Sequence, residues 1–138
     1  MMDAILPPPV SPLPDHLITG NRGEQIACRF LQSLGYRILG RNLRLAKDEV
    51  DILAWDPADA VVVFAEVKTR SRMHGDYTPE LNLTRQKRAN MIRGARQWVT
   101  RRGWEGGYRM DLLCVAGGNV TEHIKELSWG EEQGRRRC

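Results

Sequence analysis

Apolar residues return along this chain at two different spacings, and the switches between them mark out the elements. From about Arg22 to Leu34, Ile26, Ala27, Phe30, Leu31 and Leu34 recur every three or four positions, which predicts a helix that Gly35 stops. Tyr36 to Leu43 reads as a strand, with Arg37 and Arg41 as polar interruptions and Arg44 just beyond. Glu49–Trp55 and Val61–Thr69 are strongly β-prone, and Asp56-Pro57-Ala58-Asp59 between them has the composition of a tight turn. A second helix is predicted from Thr84 to about Arg102, with Met91, Ile92, Ala95, Trp98 and Val99 as its apolar stripe. Arg109–Ala116 is a further strand and Thr121–Leu127 a weaker one. The order αβββαβ, with an extra C-terminal strand, predicts an α/β fold: one mixed sheet flanked by helices.

The hairpin allows a finer expectation. With Pro57–Ala60 as the turn, Asp56 faces Val61, Trp55 faces Val62, Leu53 faces Phe64, Asp51 faces Glu66 and Glu49 faces Lys68. Strict alternation would put all of Glu49, Asp51, Leu53, Trp55, Val62, Phe64, Glu66 and Lys68 on one face. Val50, Ile52, Ala54, Val61, Val63, Ala65 and Val67 would then share the other. Both faces are apolar near the turn, which predicts central strands covered on both sides. The far end of the first face gathers four ionisable groups.

Two carboxylates facing each other across a ladder, about 5 Å apart at Cβ, repel unless a cation lies between them. Hard oxygen donors without His or Cys favour Mg²⁺ or Mn²⁺, which keep several waters and take further ligands from a substrate phosphate. Lys68 beside Glu66 would hold or deprotonate an attacking water and neutralise developing charge. These parts suit phosphodiester hydrolysis at Asp51, Glu66 and Lys68. The plain alternative is a structural ion pair between Lys68 and Glu49. Glu49 itself is open to three readings: ligand, supporting acid, or partner of Lys68.

Charge and composition sharpen the picture. The 138 residues carry a net charge of +4, with pI near 9.3, a bias toward polyanionic partners. Arg85, Lys87, Arg88, Arg93, Arg96, Arg101 and Arg102 fall in a stretch with no acid between Glu80 and Glu105. A solvated helix normally mixes signs, so this one is a candidate phosphate-contacting surface, which Arg44 and Arg70 would extend. A plain solvated face is the competing reading. Arg109 and Asp111 flank a strand start and are expected to pair structurally. Cys28, Cys114 and Cys138 lack the spacing of a disulfide framework or zinc site. His16, His74 and His123 are equally scattered, there is no run long enough to span a membrane, and the cytoplasm is the expected compartment. Residues 1–18 are proline-rich and 130–138 basic, so both are expected to be tails around a single domain at 19–129.

Gly23-Glu24-x-x-Ala27, Gly35-Tyr36, Arg41-Asn42-Leu43-Arg44, Glu49-Val50-Asp51, Glu66-Val67-Lys68-Thr69-Arg70, Lys87 and Arg109-Met110-Asp111 occur in that order. This set resembles the small bacterial YraN-like family of predicted endonucleases, which is similar to archaeal Holliday-junction resolvases within the PD-(D/E)XK superfamily. The resemblance covers about Asn21 to Leu127 and departs at Asp48, where the family pattern has glycine. It implies a restriction-endonuclease-like core, Asp51 and Glu66 as metal ligands joined by the Val67 carbonyl, and Lys68 as the catalytic lysine. Glu24 would be a further acid near the metal; an acid favoured by its helix dipole is the alternative. The activity implied is Mg²⁺-dependent DNA cleavage, with branched or structured DNA as the substrate class. DNA would be held through its phosphates by Arg44, Arg70, Lys87 and Arg88, and a homodimer would allow two strands to be cut. A nucleic-acid-binding module that keeps the fold without catalysis is the rival reading.

Overall fold

A computed structural model describes residues 22–45, 48–70 and 85–125. It contains helices α1 (Arg22–Ser33) and α2 (Arg85–Arg102) and strands β1 (Arg37–Leu45), β2 (Asp48–Asp56), β3 (Val61–Arg70), β4 (Gly107–Ala116) and β5 (Asn119–Ile124). The two segments expected to be tails lie outside the described residues.

The strands form one sheet in the order β1-β2-β3-β4-β5. Pairing is antiparallel except between β3 and β4, which run parallel. A parallel neighbour cannot be reached by a hairpin, and α2 lies in the crossover from β3 to β4. The Pro57–Ala60 turn sets the predicted hairpin register, with Asp56 opposite Val61, Trp55 opposite Val62 and Leu53 opposite Phe64. The chain is therefore an α/β protein whose mixed sheet is consistent with a restriction-endonuclease-like core.

Each sheet face has its own apolar core, as expected for strands covered on both sides. Against α1 pack Ile52, Ala54, Val63, Ala65, Leu113 and Val115, meeting Ala27, Cys28 and Leu31. Against α2 pack Leu53, Trp55, Val62, Phe64, Met110 and Leu112, meeting Met91, Ala95 and Trp98. Phe64 and Trp98 meet edge to face at 5.6 Å. The α1 helix ends in a Schellman arrangement: Tyr36 N donates to Leu31 O and Gly35 N to Gln32 O. Gly35 takes φ +95°, a conformation that costs glycine little. Among the described residues no helix is long and apolar enough to cross a membrane.

One expectation fails. Strict alternation places Val50 with Ile52 and Ala54, yet Val50 packs into the α2-side core, on the same face as Leu53 three residues later. The neighbouring strand breaks step at the same level. Arg41, opposite Ile52, reaches Glu24 of α1, whereas Leu43, opposite Val50, packs on the α2 side. Between Arg41 and Leu43, Asn42 adopts φ +52°, a left-handed conformation that Asn tolerates better than most residues. The in-and-out pattern of β1 and β2 thus reverses along a seam through Asn42 and Asp51.

Candidate functional site

The seam decides where the acids go. Pairing between β2 and β3 ends at Ile52 opposite Ala65. One residue further, the Asp51 side chain belongs to neither core, and its Oδ2 accepts the Val67 backbone N–H at 2.8 Å. Here a carboxylate takes the place of a backbone carbonyl in the ladder. Glu66, the neighbour of Val67, is almost fully buried, at 4% exposure.

Glu66 perturbs Asp51. Burial, and then the negative charge of Glu66, push the Asp51 pKa up to about 6, with Glu24 adding to the effect. The Val67 N–H and Lys87 pull the other way. Glu66 Oε2 meets Lys87 Nζ at 3.3 Å and Lys68 Nζ at 3.5 Å. Its other oxygen, Oε1, is buried without a hydrogen-bond partner. A buried orphan acceptor costs about 1–3 kcal/mol, more when charged, unless something occupies it.

On the α1 side, Glu24 forms an ion pair with Arg41. Arg41 Nε and Nη1 are buried without hydrogen-bond partners. Glu24 gets there because α1 starts hard against the end of β3: a Cβ on Gly23 would lie 2.2 Å from Thr69 Oγ1 and 3.2 Å from Thr69 Cβ. Gly23→Val is expected to push that first turn outward and lower stability by about 1–3 kcal/mol in chemical denaturation, the usual cost of overpacking.

The structure thus brings Asp51, Glu66, Lys68 and Lys87 together, with Glu24 and Arg41 behind the seam. It does not set Glu49 opposite Lys68: the β2–β3 pairing ends at Ile52 and Ala65, and the Lys68 ammonium lies on Glu66 instead. Glu49 is exposed, sits across from Arg44 and borders a small apolar crevice with Val50, Phe64 and Met91. Arg44 is exposed and Arg70 half-buried at the end of β3. Arg88 is half-buried, its Nε enclosed without a hydrogen-bond partner. On α2 the exposed cations are Arg85, Arg93, Arg96, Arg101 and Arg102, the last lying over the Trp98 ring.

A second charged cluster lies on the α1 face near the hairpin turn. Arg109 donates to Asp111 through Nε and Nη2, to Asp56 and Asp59 through Nη1, and to Tyr36 Oη through Nη2, at 2.7–3.1 Å. His123 Nε2 lies 2.7 Å from Asp111 Oδ2. Burial alone would raise Asp111, but hydrogen bonds from His123 and Arg109 outweigh it and hold the carboxyl below its ordinary pKa. Asp56 is held down against burial in the same way by Arg109 and Tyr36. Burial lifts the Tyr36 phenol to about 12. Asp56 Oδ1 also accepts from Ala58 N, so the cluster ties the turn to the sheet. The expected Arg109–Asp111 pair is present, and larger than expected.

A family model described as the uncharacterised protein family UPF0102 matches residues 23–115, most of the described chain. The chain belongs to the UPF0102 family. A UPF0102 protein of Nitratidesulfovibrio vulgaris is 42% identical over 112 residues, covering 78% of this chain and 81% of that protein. One from Pelobacter propionicus is 39% identical over 117 residues, covering 80% and 82%. One from Oleidesulfovibrio alaskensis is 42% identical over 103 residues, covering 74% of this chain; that match spans only half of the Oleidesulfovibrio protein. The matched UPF0102 span runs from Gly23, at the α1–β3 contact, to Val115 near the end of β4, and so contains every residue of the acidic site.

Proposed function

We propose that this protein is a metal-dependent endonuclease that hydrolyses DNA phosphodiester bonds, with branched or otherwise structured DNA as the substrate class its resemblance to resolvases indicates. One observation carries the reading. Where the β2–β3 ladder ends, the charge of Glu66 adds to burial in raising the Asp51 pKa, and a buried oxygen of Glu66 without a hydrogen-bond partner suits a cation.

The residues present fit Mg²⁺ or Mn²⁺. Among the described residues no three His, Cys, Asp or Glu side chains form a ready cage, but Mg²⁺ is commonly held by one or two carboxylates, waters and substrate phosphate. Asp51, Glu66 and the Val67 carbonyl would hold it. When bound, such an ion would supply Lewis-acid polarisation of a phosphoryl oxygen and a water of lowered pKa. Lys68, which pairs with Glu66, would neutralise charge that develops on the phosphate. Arg41 fixes the Glu24 carboxylate near Asp51 and keeps that acid from swinging into solvent.

The decisive experiment incubates purified protein with Mg²⁺ or Mn²⁺ on linear, nicked, flapped and four-way DNA. Metal-dependent cleavage supports the reading. Retained DNA affinity without cleavage of any substrate favours instead a nucleic-acid-binding module on a nuclease fold. The exposed cations of α2 supply a second test. Arg93→Gln with Arg96→Gln is expected to flatten the slope of log affinity against log salt by roughly 2, if each meets one phosphate. The loss is expected to be similar for every DNA sequence, because phosphate contacts carry no base information. Binding titrations at several salt concentrations check it, and an unchanged slope removes this face from the DNA-binding surface.

A further inference from the structure

Lys87 is the third residue of α2, a helix that contains no carboxylate. Its ammonium crosses to β3 and lies 3.3 Å from Glu66 Oε2, an oxygen that Lys68 also approaches, at 3.5 Å. Two ammonium groups on one carboxylate oxygen repel each other, so the arrangement depends on negative charge nearby. Asp51 supplies it, lying close enough for the Lys87 charge to act on it against burial and the charge of Glu66. In the metal-free protein Asp51 and Glu66 are therefore balanced by Lys68 and Lys87, two charges against two.

A divalent ion upsets that balance. Once it sits between Asp51 and Glu66, the site carries two positive charges too many, and one lysine loses its reason to stay. Lys68 is fixed two residues from Glu66 on the same strand. Lys87 comes from another element and is the more exposed of the two, 34% against 24%. It is also continuous with the cationic surface of α2, where a phosphate would arrive.

We propose that Lys87 exchanges partners: it holds Glu66 in the metal-free protein and passes to a DNA phosphate when a divalent cation occupies the Asp51–Glu66 pair. Metal and DNA then bind with positive coupling, each strengthening the other by the same factor. Lys87 is in this sense neither a plain surface cation nor a permanent part of the acidic site. The inference rests on the nuclease reading above and gives that site its linkage to substrate.

The test uses the full chain and Ca²⁺, an oxygen-seeking ion chosen so that bound DNA stays intact, at pH 8. Calorimetry measures the Ca²⁺ Kd with and without a four-way DNA junction, for wild type, Lys87→Gln and Lys87→Arg. Without DNA, Lys87→Gln is expected to bind Ca²⁺ about 5-fold more tightly, since the competing ammonium is gone. DNA is expected to tighten Ca²⁺ binding about 10-fold or more in wild type. In Lys87→Gln that factor is expected to fall about 5-fold, the remainder coming from phosphate that meets the metal directly, while Lys87→Arg keeps most of it. Thermal melting by circular dichroism checks that the variants fold. Equal Ca²⁺ affinities and equal coupling factors in wild type and Lys87→Gln, with equal melting, overturn the exchange and leave the nuclease reading standing. Failure of wild type to bind Ca²⁺ in a manner that Glu66→Gln abolishes overturns both.

Discussion

Asp51→Asn and Glu66→Gln are each expected to reduce metal-dependent DNA cleavage by on the order of 10³-fold or more, while the protein stays folded and retains most of its metal-free affinity for DNA. Each substitution removes one negative charge from a two-carboxylate site, and Glu66→Gln also takes the carboxylate from Lys68 and Lys87. In Asp51→Asn the new amide would still offer a carbonyl oxygen to the Val67 N–H, so the end of the ladder stays closed. The metal-free Asp51→Asn protein is even expected to be more stable than wild type at neutral pH. The folded-state pKa of Asp51, about 6, lies above the ordinary carboxylate value. The folded state therefore binds the proton more tightly than the unfolded state does, and stability falls as pH rises from about 4 to 6 and stays low above that. Removing the charge recovers about 1–2 kcal/mol, a figure reduced to allow for the partial exposure of Asp51. Denaturant melts at pH 4.5 and 7.5 check this: the gain is expected at 7.5 and to shrink at 4.5. Added Mg²⁺ is expected to stabilise wild type and not the variants. Cleavage at the wild-type rate in both variants refutes the assignment.

Arg109→Met is expected to lower stability by about 3–5 kcal/mol, the usual cost of removing one partner from a buried charged cluster. The substitution keeps side-chain bulk but takes the guanidinium from the buried Asp111 and Asp56 and loosens the tie between the hairpin turn and the sheet. Arg109→Lys recovers only part of the loss, because an ammonium cannot reproduce a planar fork that reaches Asp56, Asp59, Asp111 and Tyr36 together. There is a pH signature. Asp111 and Asp56 have depressed folded-state pKa values, so their contribution is present above the ordinary carboxylate pKa and is lost as pH falls through the folded value. The stability gap between wild type and Arg109→Met is accordingly expected to narrow below about pH 4. A gap constant between pH 3 and 7 would place the cost in packing rather than charge.

The hairpin register was legible because turn composition and apolar alternation specify the same pairing from Asp56–Val61 inward. Extending that alternation without a break put Val50 on the wrong face and set Asp51 among the side chains of one face. The reversal depends on a left-handed Asn42 in the adjacent strand, and a period-two argument applied to one hairpin does not look there. Arg41 suffered from the same assumption: as an interruption in a strand it had no assigned partner, whereas the reversal turns it toward Glu24. Lys87 was grouped with its helical neighbours by sign alone. Which cation of a basic helix turns inward depends on how α2 docks on β3, a tertiary matter. Arg109 and Asp111 were recognisable as a pair because they are two residues apart on one strand. Tyr36, Asp56, Asp59 and His123 are scattered along the chain, and only the folded sheet gathers them.

The seam at Asp51 separates the two cores that keep this protein folded from the chemistry proposed for it. A residue inside either core is constrained by volume, and a residue on the outer surface by little at all. Asp51 falls under neither regime: its structural duty is to accept one N–H, which an amide performs as well as a carboxylate. On the proposed reading, a single change from oxygen to nitrogen would silence cleavage and leave both cores intact. Under the proposed reading, a relative is therefore to be judged by the identity of this one side chain rather than by its fold.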